Sequence, residues 1–354
     1  MAQRFRELDG LRGVAAFAVL IGHYTLSHNT VYLGDERSPW EFVWGEYGVQ
    51  LFFFISGFVI LMTAQRAKRA SDFVISRVSR LYPAYWAAVV VSSALVMIFK
   101  VPHHDMPLWQ RFANLMMVQR WFQIPNVDLV YWTLAIEMQF YVLLFIMLVW
   151  TKCNITPRHV LFVGLLWVGV GLVVVLLVGA QTRGLAPTNV ATPIKILLNV
   201  TLAEQAPLFV GGMFAYLGRN DLVFRRLSWV MGGLAVLFAG LVKTPSAALA
   251  VAIVAVVFFV VVQRERTGVL LWRPIQFYGK ISYTLYIQHA VTGLVLMHLL
   301  IPVTGRIAAM IITAVVVTLW CWVMYEIFEV RASRAFKGYL VRVRDSADSR
   351  TNKP

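Results

Sequence analysis

Four kinds of side chain that do chemistry stand inside or at the ends of stretches that are otherwise apolar: imidazole, guanidinium, carboxylate and hydroxyl. In lipid such ionisable groups are costly, and each is a functional candidate by default. The segment ELDGLRGVAAFAVLIGH (7–23) carries Asp9, Arg12 and His23. Read as a helix, it brings His23 to within about 20° of Arg12 and leaves Asp9 about 60° away on the same side. His23 then lies about 16 Å deeper than Arg12. A neutral imidazole at that depth is a usable general base; the competing use is a hydrogen-bonded histidine packed between helices. Arg12 has two readings as well, a ligand contact or a snorkelling cation paired with Asp9.

Glu137 stands in YWTLAIEMQFYVLLF, where a carboxylate must be protonated or paired. It serves either the chemistry directly or a clamp between helices, with an arginine such as Arg12 as partner. Arg77 and Arg80, three apart in RVSRLYPAYW, point the same way at a span boundary. Planar guanidinium donors grip phosphate bidentately, although basic residues at span ends also follow from topology and anionic lipid. Ser282, Tyr286 and His289 fall at i, i+4 and i+7, so they share a helix face. They form a polar lining or bond to a neighbouring helix. His103-His104-Asp105, bracketed by Pro102 and Pro107, matches no metal-ligand spacing and reads as an outer loop. Cys153 and Cys321 offer no disulfide framework and no metal pair.

The elements that must position these groups are membrane helices. The chain has 354 residues, 59% of them apolar and 14% charged, with a mean hydropathy of +0.70. Soluble domains carry about 45–50% apolar and about 25% charged residues, so a cytosolic enzyme, a disordered chain and a secreted disulfide scaffold are excluded. Apolar runs predict ten spans, near 9–26, 46–65, 82–99, 129–150, 159–179, 197–217, 227–242, 245–262, 278–301 and 305–329. The first is read as a retained span and not as a cleaved signal, since Asp9 and Arg12 interrupt it and no small-residue cleavage site follows. The pair 227–262, divided at Lys243-Thr244-Pro245, has a re-entrant hairpin as its alternative. The glycine pairs 211–212 and 232–233 are expected to let helices pack closely.

The net charge of +15 is a matter of topology. With both termini cytoplasmic, 22 Lys and Arg fall on the cytoplasmic side and eight on the other, which is the positive-inside bias. A nucleic-acid partner is not expected. The fold expected is thus all-α and polytopic: one integral membrane domain over 1–330, a basic cytoplasmic tail over 331–354, and no bound metal.

Taken together, these stretches resemble the acyltransferase family three membrane proteins, which include bacterial O-antigen, exopolysaccharide and macrolide O-acyltransferases. Residues 7–23, with ten positions between Arg12 and His23, are similar to that family's first-helix signature. GVQLFFFISGFVI (48–60), RVSRLYPAYW (77–86), YWTLAIEMQFY (131–141) and GKISYTLYIQHA (279–290) resemble its later motifs in order. One departure stands out: members often end the last helix with Glu-x-Pro, whereas Glu329 is followed here by Val330 and Arg331.

The resemblance implies a multi-pass enzyme of the cytoplasmic (inner) membrane that moves an acyl group, acetyl first, from acyl-CoA to a hydroxyl of a carbohydrate or glycoside. His23 would be the general base and Glu137 its catalytic companion. Arg77 and Arg80 would hold the donor's phosphates, Arg12 would contact the donor, and Ser56 of the ISGF stretch would line the donor's channel. Some members are fused to an extracytoplasmic hydrolase-like domain; with no room for one here, the chain is expected to transfer the acyl group itself or to pass it to a separate protein. The rival class is a transporter using His23, Glu137 and the arginines as a relay.

Overall fold

The computed structural model describes residues 5–181, 192–264 and 268–351. Among these residues there are helices and connecting turns but no strand, as expected where backbone polar groups must be satisfied within each segment. The helices are α1 (Arg6–Gly22), α2 (His28–Val31), α3 (Gly48–Gln65), α4 (Ala70–Phe99), α5 (Leu108–Asn114), α6 (Tyr131–Trp150) and α7 (Pro157–Gln181). They continue as α8 (Thr192–Thr201), α9 (Ala206–Leu217), α10 (Leu222–Val242), α11 (Pro245–Gln263), α12 (Arg273–Thr304), α13 (Arg306–Met324) and α14 (Ser333–Thr351).

Nine helical stretches among the described residues are long and apolar enough to cross a membrane. The tenth expected span, 9–26, falls on α1, which has 17 residues and carries Glu7 and Asp9 in its first turn. Its helical path continues through a π turn at His23–Ser27 into α2. The 227–262 stretch forms two helices, α10 and α11, each long and apolar enough to cross a membrane. Thr244 caps α11, accepting from the Ala247 N–H at 3.2 Å, and Pro245 occupies its first turn. The third span begins earlier than its apolar run: Asp72 accepts from the Arg69 N–H at 3.0 Å and starts α4 at Ala70. Arg77 and Arg80 therefore lie within a helix and not at its start. The expected tail is helical too. A second π turn (Tyr325–Ala332) joins α13 to α14, whose Arg344 pairs with Asp72 at 2.5 Å.

The chain divides into two compact units. The first comprises Met1–Ala18, Glu46–Arg66 and Gln139–Gly279. Its centre is the crossing of α3 and α9, where Gly57 and Gly212 meet; a Cβ on either would overlap the opposite backbone. Phe140 and Phe209 stack beside it at 4.3 Å. Gly211 and Gly232 sit close to phenylalanine rings, but Gly233 has nothing near it, so only three of the four expected glycines serve packing.

The second unit comprises Val19–Gly45, Ala67–Met138 and Lys280–Pro354. Its least expected feature is the segment between α4 and α6, which the sequence reads as an outer loop. The Tyr82 hydroxyl donates to the Met116 carbonyl at 3.0 Å, Tyr85 to Asn114 at 2.6 Å, and the Trp86 indole to Leu115 at 3.1 Å. These three donors lie 13 to 17 residues before the end of α4, about 20–26 Å back along its axis. The segment therefore turns back along α4. Its turn carbonyls are satisfied by side chains, the condition for irregular backbone at membrane depth. Asn114, fully buried, ties the turn to itself through the Gln110 and Pro125 carbonyls and the Val127 N–H.

Candidate active site

Two histidines meet in the second unit. His23 is the first residue of the π turn that follows α1, and π turns widen a helix locally and recur at functional sites. Its ring lies 5.0 Å from the His289 ring, at 63°. His23 Nδ1 is 2.9 Å from the Ser27 hydroxyl, one helical turn on. His289 is fully buried on α12. Its Nδ1 lies 3.0 Å from the Leu285 carbonyl and 2.9 Å from that of Tyr286. A carbonyl only accepts, so Nδ1 carries the proton and Nε2 carries the lone pair. That Nε2 is buried and has no hydrogen-bond partner among the described residues. His289 thus presents a fixed, unused acceptor within the unit that holds His23.

Neighbouring hydroxyls hold α12 in place. The Thr133 hydroxyl donates to the Val130 carbonyl at 2.8 Å and therefore accepts from Tyr286, also at 2.8 Å. Tyr286 is buried, as are Ser282 and His289, so the i, i+4, i+7 face points inward. Glu137 is half-buried and stands four residues after Thr133, on the same face of α6, where its charge bears on Tyr286. The Tyr24 hydroxyl donates to the His289 carbonyl at 3.3 Å and presses against Gly293, where a Cβ would find no room.

Asp128 is the residue that sequence reasoning missed. It is fully buried just before α6 and accepts from Ser92 at 3.1 Å, from the Val291 N–H at 3.2 Å and from the Val130 N–H at 3.3 Å. Burial pushes its carboxyl up to about 6 despite those donors. It ties α4, α6 and α12 together two residues from His289. Nothing in its local sequence separates it from an ordinary loop acid.

On α4, Arg77 is buried and donates to the Ser76 hydroxyl at 3.2 Å, while Arg80 is half-buried. Tyr283 of α12 donates to the Leu81 carbonyl at 3.0 Å, which sets the depth of one helix against the other. Arg77 is four residues, about 6 Å, before that contact, and His289 six residues, about 9 Å, beyond Tyr283. Glu329 lies in the second π turn and accepts from Thr284 at 2.8 Å, without the proline that usually follows. Arg12 and Ser56 belong to the first unit, Arg12 half-buried and Ser56 buried.

The family model described as an acyltransferase domain matches residues 5–326, from before α1 into the second π turn. The chain belongs to the acyltransferase 3 family. Family membership agrees with the all-helical structure and its membrane-capable helices. It is similar to acyltransferase MdmB of Streptomyces mycarofaciens, 26% identical over 39% of this chain and 38% of the relative. The exopolysaccharide production protein ExoZ of Rhizobium meliloti is 32% identical over 30% of this chain and 35% of the relative. O-acetyltransferase OatA of Staphylococcus aureus is 29% identical over 58% of this chain and 36% of the relative. The matched part therefore spans little more than a third of each relative's own length. No solved structure matches the chain.

Proposed function

We propose that this protein is an O-acyltransferase of the cytoplasmic membrane that moves an acyl group, acetyl first, from cytoplasmic acyl-CoA to a hydroxyl of a carbohydrate or glycoside. The observation that carries the reading is the His23–His289 pair: a half-buried imidazole beside a buried one whose tautomer is fixed and whose lone pair is unused. His23 takes the proton of the acceptor hydroxyl as its oxygen attacks the thioester carbonyl. The new C–O bond forms, the C–S bond breaks, and the CoA thiolate leaves with the proton that His23 releases. The Ser27 hydroxyl beside His23 Nδ1 orients the ring between those two events, leaving Nε2 for the transferred proton.

Arg77 and Arg80 hold donor phosphates in this reading. Support comes from the roughly 15 Å along the helices between the level of Arg77 and that of His289, a span that an extended thiol-ended arm crosses. Glu137 sets the charge around Tyr286 and the histidine pair, Arg12 contacts the donor, and Ser56 lines its path. The names of the exopolysaccharide and O-acetyltransferase relatives favour a carbohydrate acceptor. The test is release of free CoA by purified protein given acetyl-CoA and a polysaccharide acceptor. Protein that never consumes the thioester with any acceptor, yet moves solute into liposomes, overturns the reading in favour of a transporter.

A further inference from the structure

The first unit contains a cavity of about 350 Å³ whose lining includes none of the residues assigned above to acyl transfer. Leu8, Phe58 and Val261 give it apolar walls, and Arg219, Arg225 and Arg264 line it against one carboxylate among the described residues, Glu7. Among the described residues, none of the three arginines forms an ion pair. Two are held in place by the fold. The Arg219 guanidinium lies over the Phe5 ring at 4.6 Å. Arg225 donates through Nε to the Gly218 carbonyl at 3.2 Å, which leaves its Nη edge for another acceptor. Gly218 makes this possible, since a Cβ there would stand 2.7 Å from the Arg225 backbone. Only glycine lets the end of α9 meet the start of α10 so closely, and that meeting brings Arg225 to the cavity.

Three cations against one carboxylate, around a partly apolar hollow, suit an anion with an organic body. Guanidinium favours phosphate because its paired N–H groups match two phosphate oxygens. We propose that this cavity binds a phosphate-bearing ligand at Arg219, Arg225 and Arg264. A soluble nucleotide and an anionic lipid headgroup present the same chemistry, and the experiment separates them. The site is distinct from Arg77 and Arg80 and does not depend on the acyl-transfer reading, because its readout is binding.

The full chain in neutral detergent is titrated with adenosine 3′,5′-bisphosphate by calorimetry. In parallel, nanodiscs of phosphatidylcholine with and without phosphatidylglycerol are examined by native mass spectrometry for retained phosphatidylglycerol. At least one probe should bind, and Arg219→Gln/Arg225→Gln/Arg264→Gln should weaken it by about tenfold or more, since a hydrogen bond to a charged group is worth about 1.5–3 kcal/mol. Loss of the nucleotide alone assigns a soluble ligand; loss of the lipid alone assigns a headgroup. Glu7→Gln removes the one carboxylate and should tighten the same probe, which keeps the test readable if the triple variant folds poorly. His23→Ala should bind like wild type, so a failure of acyl transfer is told apart from a failure of this site. Binding of neither probe, equal binding by wild type and the triple variant, or no gain in Glu7→Gln overturns the proposal.

Discussion

At the scale of single residues, the claim that decides the chemistry concerns His23. His23→Ala should reduce acyl transfer by about 10²–10⁴-fold, the usual weight of a general base. Donor binding and thermal stability should stay near wild type, because among the described residues the ring's hydrogen-bond partner is Ser27, one turn on along the same helical path. Purified His23→Ala that retains most of its transfer rate removes the assignment and passes it to Glu137. The donor prediction is separate: Arg77→Ala/Arg80→Ala should weaken acyl-CoA binding, read by calorimetry, while the protein still inserts. Unchanged affinity returns both arginines to topology. His23, Glu137 and the arginine pair were legible in the sequence because a charge in an apolar run stands out. His289 was legible only as one residue of a polar face, since its open Nε2 follows from carbonyls at Leu285 and Tyr286 that every helix has. Arg306 shows the opposite failure. Counted as one more charge at a span end, it is 2% exposed, with Nη1 on His28 Nδ1 at 2.5 Å and Nη2 on the Tyr24 carbonyl at 2.6 Å.

At the scale of elements, most helices could be read from hydropathy, and their starts from Asp72 and Thr244 once the capping partners are known. The returning segment between α4 and α6 could not. Its sequence is polar enough to pass for a loop, and what carries it inward is a set of donors on another element, Tyr82, Tyr85 and Trp86. Tyr85→Phe removes one of them and leaves the Asn114 carbonyl with the Met117 N–H at 3.2 Å. It should cost about 0.5–1.5 kcal/mol of stability, measured by denaturation in detergent, and a variant as stable as wild type would show that the segment is held otherwise. Asp128 makes the same junction sensitive to pH. Its carboxyl, held at about 6 against the ordinary 3.8, keeps a proton in the folded state that the unfolded chain has released. Its contribution is therefore intact below about pH 4 and is lost as pH rises through about 6. Asp128→Asn should flatten the fall in stability across that window relative to wild type, and an unchanged slope would mean that another group titrates there.

At the scale of the whole molecule, the distribution of positive charge and the helix order must describe one topology. Successive spans alternate in direction, so an error in the sidedness of one would invert every loop after it. The count of 22 Lys and Arg on one side against eight on the other predicts cytoplasmic termini, because short loops rich in these residues resist translocation. A reporter fused after Pro354 should then behave as cytoplasmic, and one inserted in 27–45 as extracytoplasmic. The C-terminal fusion is a fair probe. The pairs that join α14 to α4 lie at the surface, Arg69 with Asp348 at 2.6 Å and Arg344 with Asp72, and exposed pairs contribute about 0–1 kcal/mol. A reporter that loosens them leaves the spans in place. The stricter probe is the returning segment, because a simple ten-span scheme and this fold disagree there. A cysteine at Met117, which is 1% exposed, should resist a membrane-impermeant thiol reagent added from the outside, whereas one at His103, exposed near the end of α4, should react. Equal labelling at both positions would make residues 101–130 an ordinary outer loop, and the contacts of Tyr82, Tyr85 and Trp86 would then have to be abandoned with it.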